Sequence, residues 1–458
     1  DRIYLLFFVF FCLISIFAIK IFFTSLKETN FKNNQNHYNS IFKSQRGDIY
    51  DKNGEVIATN IRVYHAAIKP NLIKNKKNFV LKLQIIYPYI DIENIKKKLK
   101  KNKYFYLKKN ITKEEQVKLW SLGERGLLFE TTQTRVYPHK NLFSHVVGQI
   151  DDNNNGISGL EKSLNKRLKK SNKQVQITLD TNIQFLIRNE LIKFQKIFRS
   201  KGSAALLMNI DNGQILSLVS LPDFNINRRN KIVEEKFINR ITMGLYELGS
   251  IFKTFTLAGA LNEKIIAPDT NFENMPKSIY CAGRKISEYD MKIPASLTAE
   301  QILIRSGNIG SVRIAQKMGI KKTKKFLNSL KILDPIDFEL DEIGKPLPIK
   351  WGKCKLATIS FGHGISTTPL HVATAYAVIS NGGYEIKPTL IKKTVNIKKK
   401  KILDKYVSNE INSILRKIVT EKEGTANLAN VKGYNVGGKT GTAQKIENGI
   451  YTKKKINT

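Results

Sequence analysis

Ser250 and Lys253 stand three residues apart at the head of a run whose apolar residues Phe255, Ala258 and Leu261 recur at helical intervals. That spacing places both side chains on one helix face. A serine hydroxyl is a weak nucleophile, and a lysine takes its proton only when the amine is partly neutral. Burial and a second cation both lower a lysine pKa. Two further clusters supply what the pair lacks: Ser306-Gly307-Asn308, between the helical runs 298–304 and 309 onward, and Lys439-Thr440-Gly441-Thr442, preceded by two glycines. Together these groups can carry out acyl transfer. Ser250 attacks an amide carbonyl, Lys253 receives its proton, Ser306 relays a proton toward the leaving amine, and Asn308 hydrogen-bonds Lys253 and the substrate backbone. Lys439 is the second cation and attracts a substrate carboxylate. Thr440, Gly441 and Thr442 are read as substrate-binding. Gly441 lets substrate lie along the strand, and the N–H groups of Ser250 and Thr442 form an oxyanion hole.

The elements that position these residues are legible in outline. Asp51-Lys52-Asn53-Gly54 predicts a hairpin over 47–58, because Asn-Gly supplies the positive φ of a tight turn. Residues 70–130 are lysine-rich with helical apolar spacing; Arg135-Val136-Tyr137-Pro138 and His145-Val146-Val147-Gly148 read as short strands, and Gly156 to Glu161 opens another helical run. The chain turns polar at 171–174. A strand at 175–179 then leads to Asp180, which caps a helix with Ile183, Leu186, Ile187, Leu191 and Phe194 on its apolar face. Asp211-Asn212-Gly213 joins strands 204–210 and 214–220, and Tyr434 to Val436 is a short apolar piece before Gly437-Gly438. Hairpins rather than βαβ crossovers indicate an α+β fold, an antiparallel sheet flanked by helices. The expected organisation is an anchor over 1–25, a non-catalytic pedestal over 26–174 and a catalytic domain over 175–458.

Residues 3–19 carry no charge, and apolar character resumes at Ile21-Phe22-Phe23. Residues 3–23 would span roughly 31 Å as a helix, about one hydrocarbon core. The apolar sequence runs on past Lys20 without a small-residue cleavage site, so this is an uncleaved transmembrane anchor. The polar stretch 27–44 reads as a juxtamembrane linker.

Of 458 residues, 77 are Lys or Arg and 38 Asp or Glu, a formal charge of +39. No nucleic-acid role follows. The lysines are spread along the chain, as in 96–109 and 398–401, and although Tyr104, Phe105 and Tyr106 sit among them, no nucleic-acid-binding motif accompanies them. Cys12, Cys281 and Cys354 form no metal or disulfide framework, leaving a Cys281–Cys354 bridge open. His37, His65, His139, His145, His363 and His371 show no metal-ligand grouping, and neither a metal nor a cofactor is expected. His363, in a glycine-rich loop, is read as structural.

The order SxxK, SxN, KTG resembles the active-site set of penicillin-binding proteins and β-lactamases. Arg46-Gly47-Asp48-Ile49-Tyr50-Asp51, Asn239-Arg240, Tyr246-Glu247-Leu248-Gly249-Ser250, Gly362-His363-Gly364 through Thr368-Pro369-Leu370, and Val436-Gly437-Gly438-Lys439 extend the likeness over nearly the whole chain. The sequence resembles a class B penicillin-binding protein, a peptidoglycan D,D-transpeptidase, and with Ile309-Gly310 after Asn308 the division-specific type. The resemblance implies acylation by the D-Ala-D-Ala end of a stem peptide, transfer to an amine acceptor, and inhibition by β-lactams. It also implies a single-pass protein of the bacterial inner membrane with its catalytic domain in the periplasm, working with a peptidoglycan polymerase and other division proteins. Family members continue beyond KTG with further strands and a helix, so a chain ending at Thr458 reads as a fragment of a longer product. The competing readings are a serine β-lactamase or D,D-carboxypeptidase, and a non-catalytic scaffold or β-lactam sensor. The class A deacylation pattern is absent, and all three motifs are intact.

Overall fold

A computed structural model of the chain describes residues 2–26, 46–170, 174–228, 234–392, 400–447 and 450–458. The linker expected at 27–44, His37, residues 171–173 of the polar boundary and residues 398–399 of the second lysine run lie outside these.

Arg2–Leu26 is a continuous helix, long and apolar enough over Arg2–Phe23 to cross a membrane. Its phenylalanines face outward, Phe7 being 78% exposed, so the helix presents an apolar surface on all sides.

The first soluble region is built on one mixed sheet. Ile49–Tyr50 pairs antiparallel with Val56–Ile68, with Ile49 opposite Ala58. The turn between them is closed by Asp51 Oδ1, which accepts from Asn53 N and Glu55 N, both at 2.8 Å, while Gly54 takes φ +90°. Val56–Ile68 then pairs along its length with Leu127–Val136 and, on its other side, with Phe105–Ile111. Helices Lys76–Ile86, Ile92–Lys100 and Lys113–Trp120 cover this sheet, burying Phe79, Leu83, Ile95, Leu99 and Leu119 together. Two expectations fail here. The region 70–130 is not wholly helical, since two of its segments are drawn into the sheet. Arg135-Val136 ends a ten-residue strand, and His145-Val146-Val147 belongs to the helical turn Ser144–Val147. A four-residue apolar run has no readable period, and burial of Val146 and Val147 settled the conformation.

Arg46 and Glu161 are fully buried beside this sheet. Glu161 accepts from Arg46 Nε, from Arg135 Nε at 2.8 Å and from the Tyr137 hydroxyl at 3.2 Å. Arg46 also reaches Asn165 Oδ1 at 2.7 Å, so one carboxylate gathers segments far apart in sequence.

Val175–Gln176 adds parallel to Ile49–Tyr50, and a single apolar core runs from Ile49 and Leu160 through Leu179 to Ile215, Leu340 and Leu390. Asp180 caps helix Thr181–Ile197, accepting from Asn182 N and Ile183 N. The face packed inward overlaps only in part with the one the apolar pattern selected, Ile183, Ile187 and Leu191 being half-buried. Thr181 and Gln184 are buried, whereas Leu186 and Phe194 are exposed. Gln184 binds strand Ile215–Leu221 like an extra backbone unit, accepting from Leu218 N at 2.8 Å and donating to Leu218 O at 2.7 Å.

The remainder is α+β, as the pattern predicted. Its strands form separate antiparallel pairs among the described residues: Ser203–Met208 with Ile215–Leu221, Asn271–Phe272 with Leu297–Thr298, Ser278–Cys281 with Arg284–Ser287, and Thr442–Glu447 with Ile450–Asn457. Helices Phe252–Asn262, Asn308–Ser329, Pro369–Ser380 and Lys405–Thr420 share a second core centred on Phe255, Ile309, Val378 and Ile411. The short apolar piece Tyr434 to Val436 is loop. Cys281 and Cys354 are joined in a disulfide, Cα to Cα 5.5 Å, which ties the hairpin ending at Ser287 to helix Lys353–Ile359.

Candidate active site

Ser250 lies in the single tight turn Gly249–Ile251 that feeds helix Phe252–Asn262. Gly249 has φ +63°, and a Cβ there would stand 2.6 Å from Thr442 O. Its N–H donates to Gly362 O at 3.3 Å, and the Tyr376 hydroxyl donates to Ile251 O at 2.9 Å. The turn carrying Ser250 is therefore wedged between the KTG strand and the glycine-rich loop after Phe361. Burial pushes the Tyr376 hydroxyl pKa up, so it remains a donor.

Lys253 points from the first turn of that helix into protein and is 1% exposed. Its Nζ donates to Ser306 O at 2.5 Å, to Ser306 Oγ at 3.2 Å and to Asn308 Oδ1 at 2.7 Å. Ser306 aims both oxygens at the amine by adopting φ +58°, a left-handed backbone that costs a non-glycine residue about 1–2 kcal/mol. Burial, and after it the charge of Lys439, lowers the Lys253 pKa well below the usual lysine value, with Glu288 opposing. An ammonium uses its three protons on these three acceptors. A neutral amine keeps two protons and frees a lone pair, the form a general base needs.

Asn308 opens helix Asn308–Ser329 and splits its amide: Oδ1 receives from Lys253 while Nδ2 donates to Ser287 O at 2.7 Å. One of its two amide protons is thus held by protein and not by substrate. Lys439 is half-buried, donates to Thr440 O at 2.9 Å, and has its pKa lowered by desolvation to about 7. Thr440 is exposed, with its hydroxyl donating to Thr425 Oγ1 at 3.0 Å.

Gly441 and Thr458 exchange both backbone hydrogen bonds, Gly441 N to Thr458 O at 2.7 Å and Thr458 N to Gly441 O at 2.9 Å. Ladder alternation then turns the Thr442 N–H to the opposite edge, the one Gly249 approaches. A Cβ on Gly441 would lie 2.5 Å from Leu248 O. The glycine is thus required by the protein's own backbone, a reason the sequence reading assigned to substrate alone.

The structure brings Ser250, Lys253, Ser306, Asn308, Lys439, Gly441 and Thr442 to one place. Sequence reasoning missed Glu288, which accepts from the backbone of Asn308 and Ile309, and Tyr376. No motif marks either. His363 stands close enough for the charge of Lys253 to help burial lower its pKa.

The family model of the penicillin-binding protein transpeptidase domain matches residues 203–458, and that of the penicillin-binding protein dimerisation domain matches residues 41–195. The chain belongs to the penicillin-binding protein transpeptidase family. It is 29% identical over 415 residues, 88% of this chain and 70% of the relative, to a Caulobacter vibrioides protein named "Probable peptidoglycan D,D-transpeptidase FtsI". It is 27% identical over 461 residues, 90% of this chain and 79% of the relative, to the peptidoglycan D,D-transpeptidase FtsI of Buchnera aphidicola. Stage V sporulation protein D of Bacillus subtilis is 26% identical over 458 residues, 90% of this chain and 70% of its own length.

Proposed function

We propose that this chain is a membrane-anchored peptidoglycan D,D-transpeptidase that cross-links stem peptides in septal wall synthesis. The observation that carries the reading is the amine of Lys253, buried, stripped of solvent and held by Ser306 and Asn308 one helical turn from Ser250. Ser250 Oγ adds to the carbonyl of the penultimate D-Ala as neutral Lys253 takes its proton. The oxyanion is received by the N–H groups of Ser250 and Thr442. The C–N bond then breaks, the proton passes from Lys253 through Ser306 to the departing D-Ala amine, and an ester on Ser250 remains. An acceptor amine attacks that ester, its proton returns by the same route, and Ser250 is released. Lys439 and Thr440 meet the terminal carboxylate of the donor. A β-lactam enters as a donor whose leaving group stays tethered, so its ester on Ser250 persists.

In this reading residues 1–25 anchor the chain, 26–174 are a pedestal that also meets a polymerase and other division proteins, and 175–458 carry catalysis on the periplasmic side of the inner membrane.

The test is to treat the full chain in detergent with a fluorescent penicillin and map the adduct by intact mass and peptide analysis. A long-lived adduct on Ser250, missing in Ser250→Ala, is the expected result. Rapid hydrolysis of the drug would make the chain a β-lactamase, and no adduct would reject the acyl-enzyme reading.

A further inference from the structure

Glu288 follows strand Arg284–Ser287, is 9% exposed, and belongs to none of the three motifs. Its position is explained by what Gly307 lacks. Helix Asn308–Ser329 starts after Gly307, which has no side chain to satisfy the first helical N–H groups. The Glu288 carboxylate takes that part from 20 residues upstream: Oε2 accepts from Asn308 N at 2.6 Å and Oε1 from Ile309 N at 2.9 Å. Its neighbour Ser287 accepts from Asn308 Nδ2. Two consecutive residues therefore hold Asn308 by backbone and side chain, with Oδ1 turned to Lys253.

We propose that Glu288 is a positioning residue for acyl transfer: by clamping the start of the Asn308 helix it holds Asn308, and through Asn308 the amine of Lys253, in place beside Ser250. This rests on the transpeptidase reading above. A carboxylate suits the place because a helix start is electropositive and hydrogen bonds to an ionised acceptor are the strong ones. It also sets a negative charge near the Lys253 amine. Lys253 is faced by Lys439 and His363 besides Glu288, and the neighbouring Tyr289 feels the charges of Asp290, Glu288 and Arg305. Glutamine in its place keeps the size but loses the charge and offers one acceptor for two N–H groups.

The test compares acylation of Ser250 by fluorescent penicillin in the full chain for wild type, Glu288→Gln and Glu288→Asp, from about pH 5 to about pH 10. Hydrogen exchange of peptides covering 305–315 is followed in parallel. Glu288→Gln is expected to acylate about 10- to 100-fold more slowly. The pH at which its rate rises is expected to move down, because the charge that opposed the lowering of Lys253 is gone. Amide exchange at Asn308 and Ile309 is expected to quicken. Glu288→Asp, with the charge kept and the reach shortened, is expected to be slowed with its pH limb in the wild-type position. A rate or a limb that stays at wild type in Glu288→Gln overturns the proposal, whatever the exchange does. Should Glu288→Gln lose protection throughout the chain, Glu288→Asp decides, and a wild-type rate there overturns it. No adduct on Ser250 in the wild-type chain overturns the transpeptidase reading itself and this inference with it.

Discussion

Gly249 and Thr442, 193 positions apart in the chain, meet backbone to backbone: a Cβ on the glycine would lie 2.6 Å from the threonine carbonyl oxygen and 3.2 Å from its nitrogen. That contact holds the Thr442 backbone against the turn that carries Ser250, the two residues whose N–H groups are the proposed oxyanion hole, with Gly249 at φ +63° turning the chain into helix Phe252–Asn262. Gly249→Ala adds both a clash with main chain and left-handed strain of about 1–2 kcal/mol. We expect it to slow penicillin acylation at least tenfold while the helical content measured by circular dichroism stays near wild type. Unchanged acylation kinetics would remove Thr442 from the oxyanion hole.

Asn308→Ala deletes the 2.7 Å acceptor of Lys253. A hydrogen bond to a charged group contributes about 1.5–3 kcal/mol, so the acylation rate should fall about 10- to 100-fold. Stopped-flow measurement on Asn308→Ala and Asn308→Asp separates geometry from charge. The aspartate restores an acceptor but raises the Lys253 pKa, moving the rise in rate to higher pH.

Lys439 titrates near 7 in the folded chain against 10.5 in its ordinary state. Between those values the unfolded chain binds more protons, so stability rises with pH across that window, and Lys253 adds a slope of the same sign. Lys439→Met should flatten the rise of Tm between about pH 7 and pH 10. It should also shift the acylation limb upward, because a cation that lowers Lys253 is lost. A limb moving downward would contradict the electrostatic coupling of the two amines.

Glu161 is the common acceptor for Arg46, Arg135 and Tyr137. Glu161→Ala takes from the buried Arg46 its carboxylate partner and leaves Arg135 only the 3.9 Å pair with Asp48, at a cost of about 3–5 kcal/mol. Thermal unfolding should show a large loss of Tm, and acylation of Ser250 at low temperature should persist, because the network lies away from the catalytic groups.

The Cys281–Cys354 bridge closes a loop with a sequence separation of 73 residues. Loop entropy gives about 4 kcal/mol for a closure of that length. The double substitution to serine, or reduction of the native chain, should lower Tm accordingly in a scan with and without dithiothreitol. An identical Tm in both would mean that the bridge contributes nothing to stability.

What the sequence by itself determined is local. The apolar run at residues 3–23, the Asn53-Gly54 turn, the Asp180 cap and the three motifs around Ser250, Ser306 and Lys439 each depend on residues within a helical turn or a hairpin of one another, and all were legible. The inward face of helix Thr181–Ile197 was legible only in part, because Gln184 satisfying Leu218 sits inward while Leu186 and Phe194 are exposed and Ile183, Ile187 and Leu191 are half-buried. The conformation of His145-Val146-Val147 was likewise settled by burial. The gathering of Ser250, Ser306 and Lys439, the pairing of two cysteines without framework spacing, and the clamp of Glu288 on Asn308 belong to tertiary structure alone. Their cause is physical. A motif supplies groups with the right chemistry, but the loss of solvent that lowers the Lys253 pKa, and the partner that caps Gly307's helix, exist only once distant segments are packed around them.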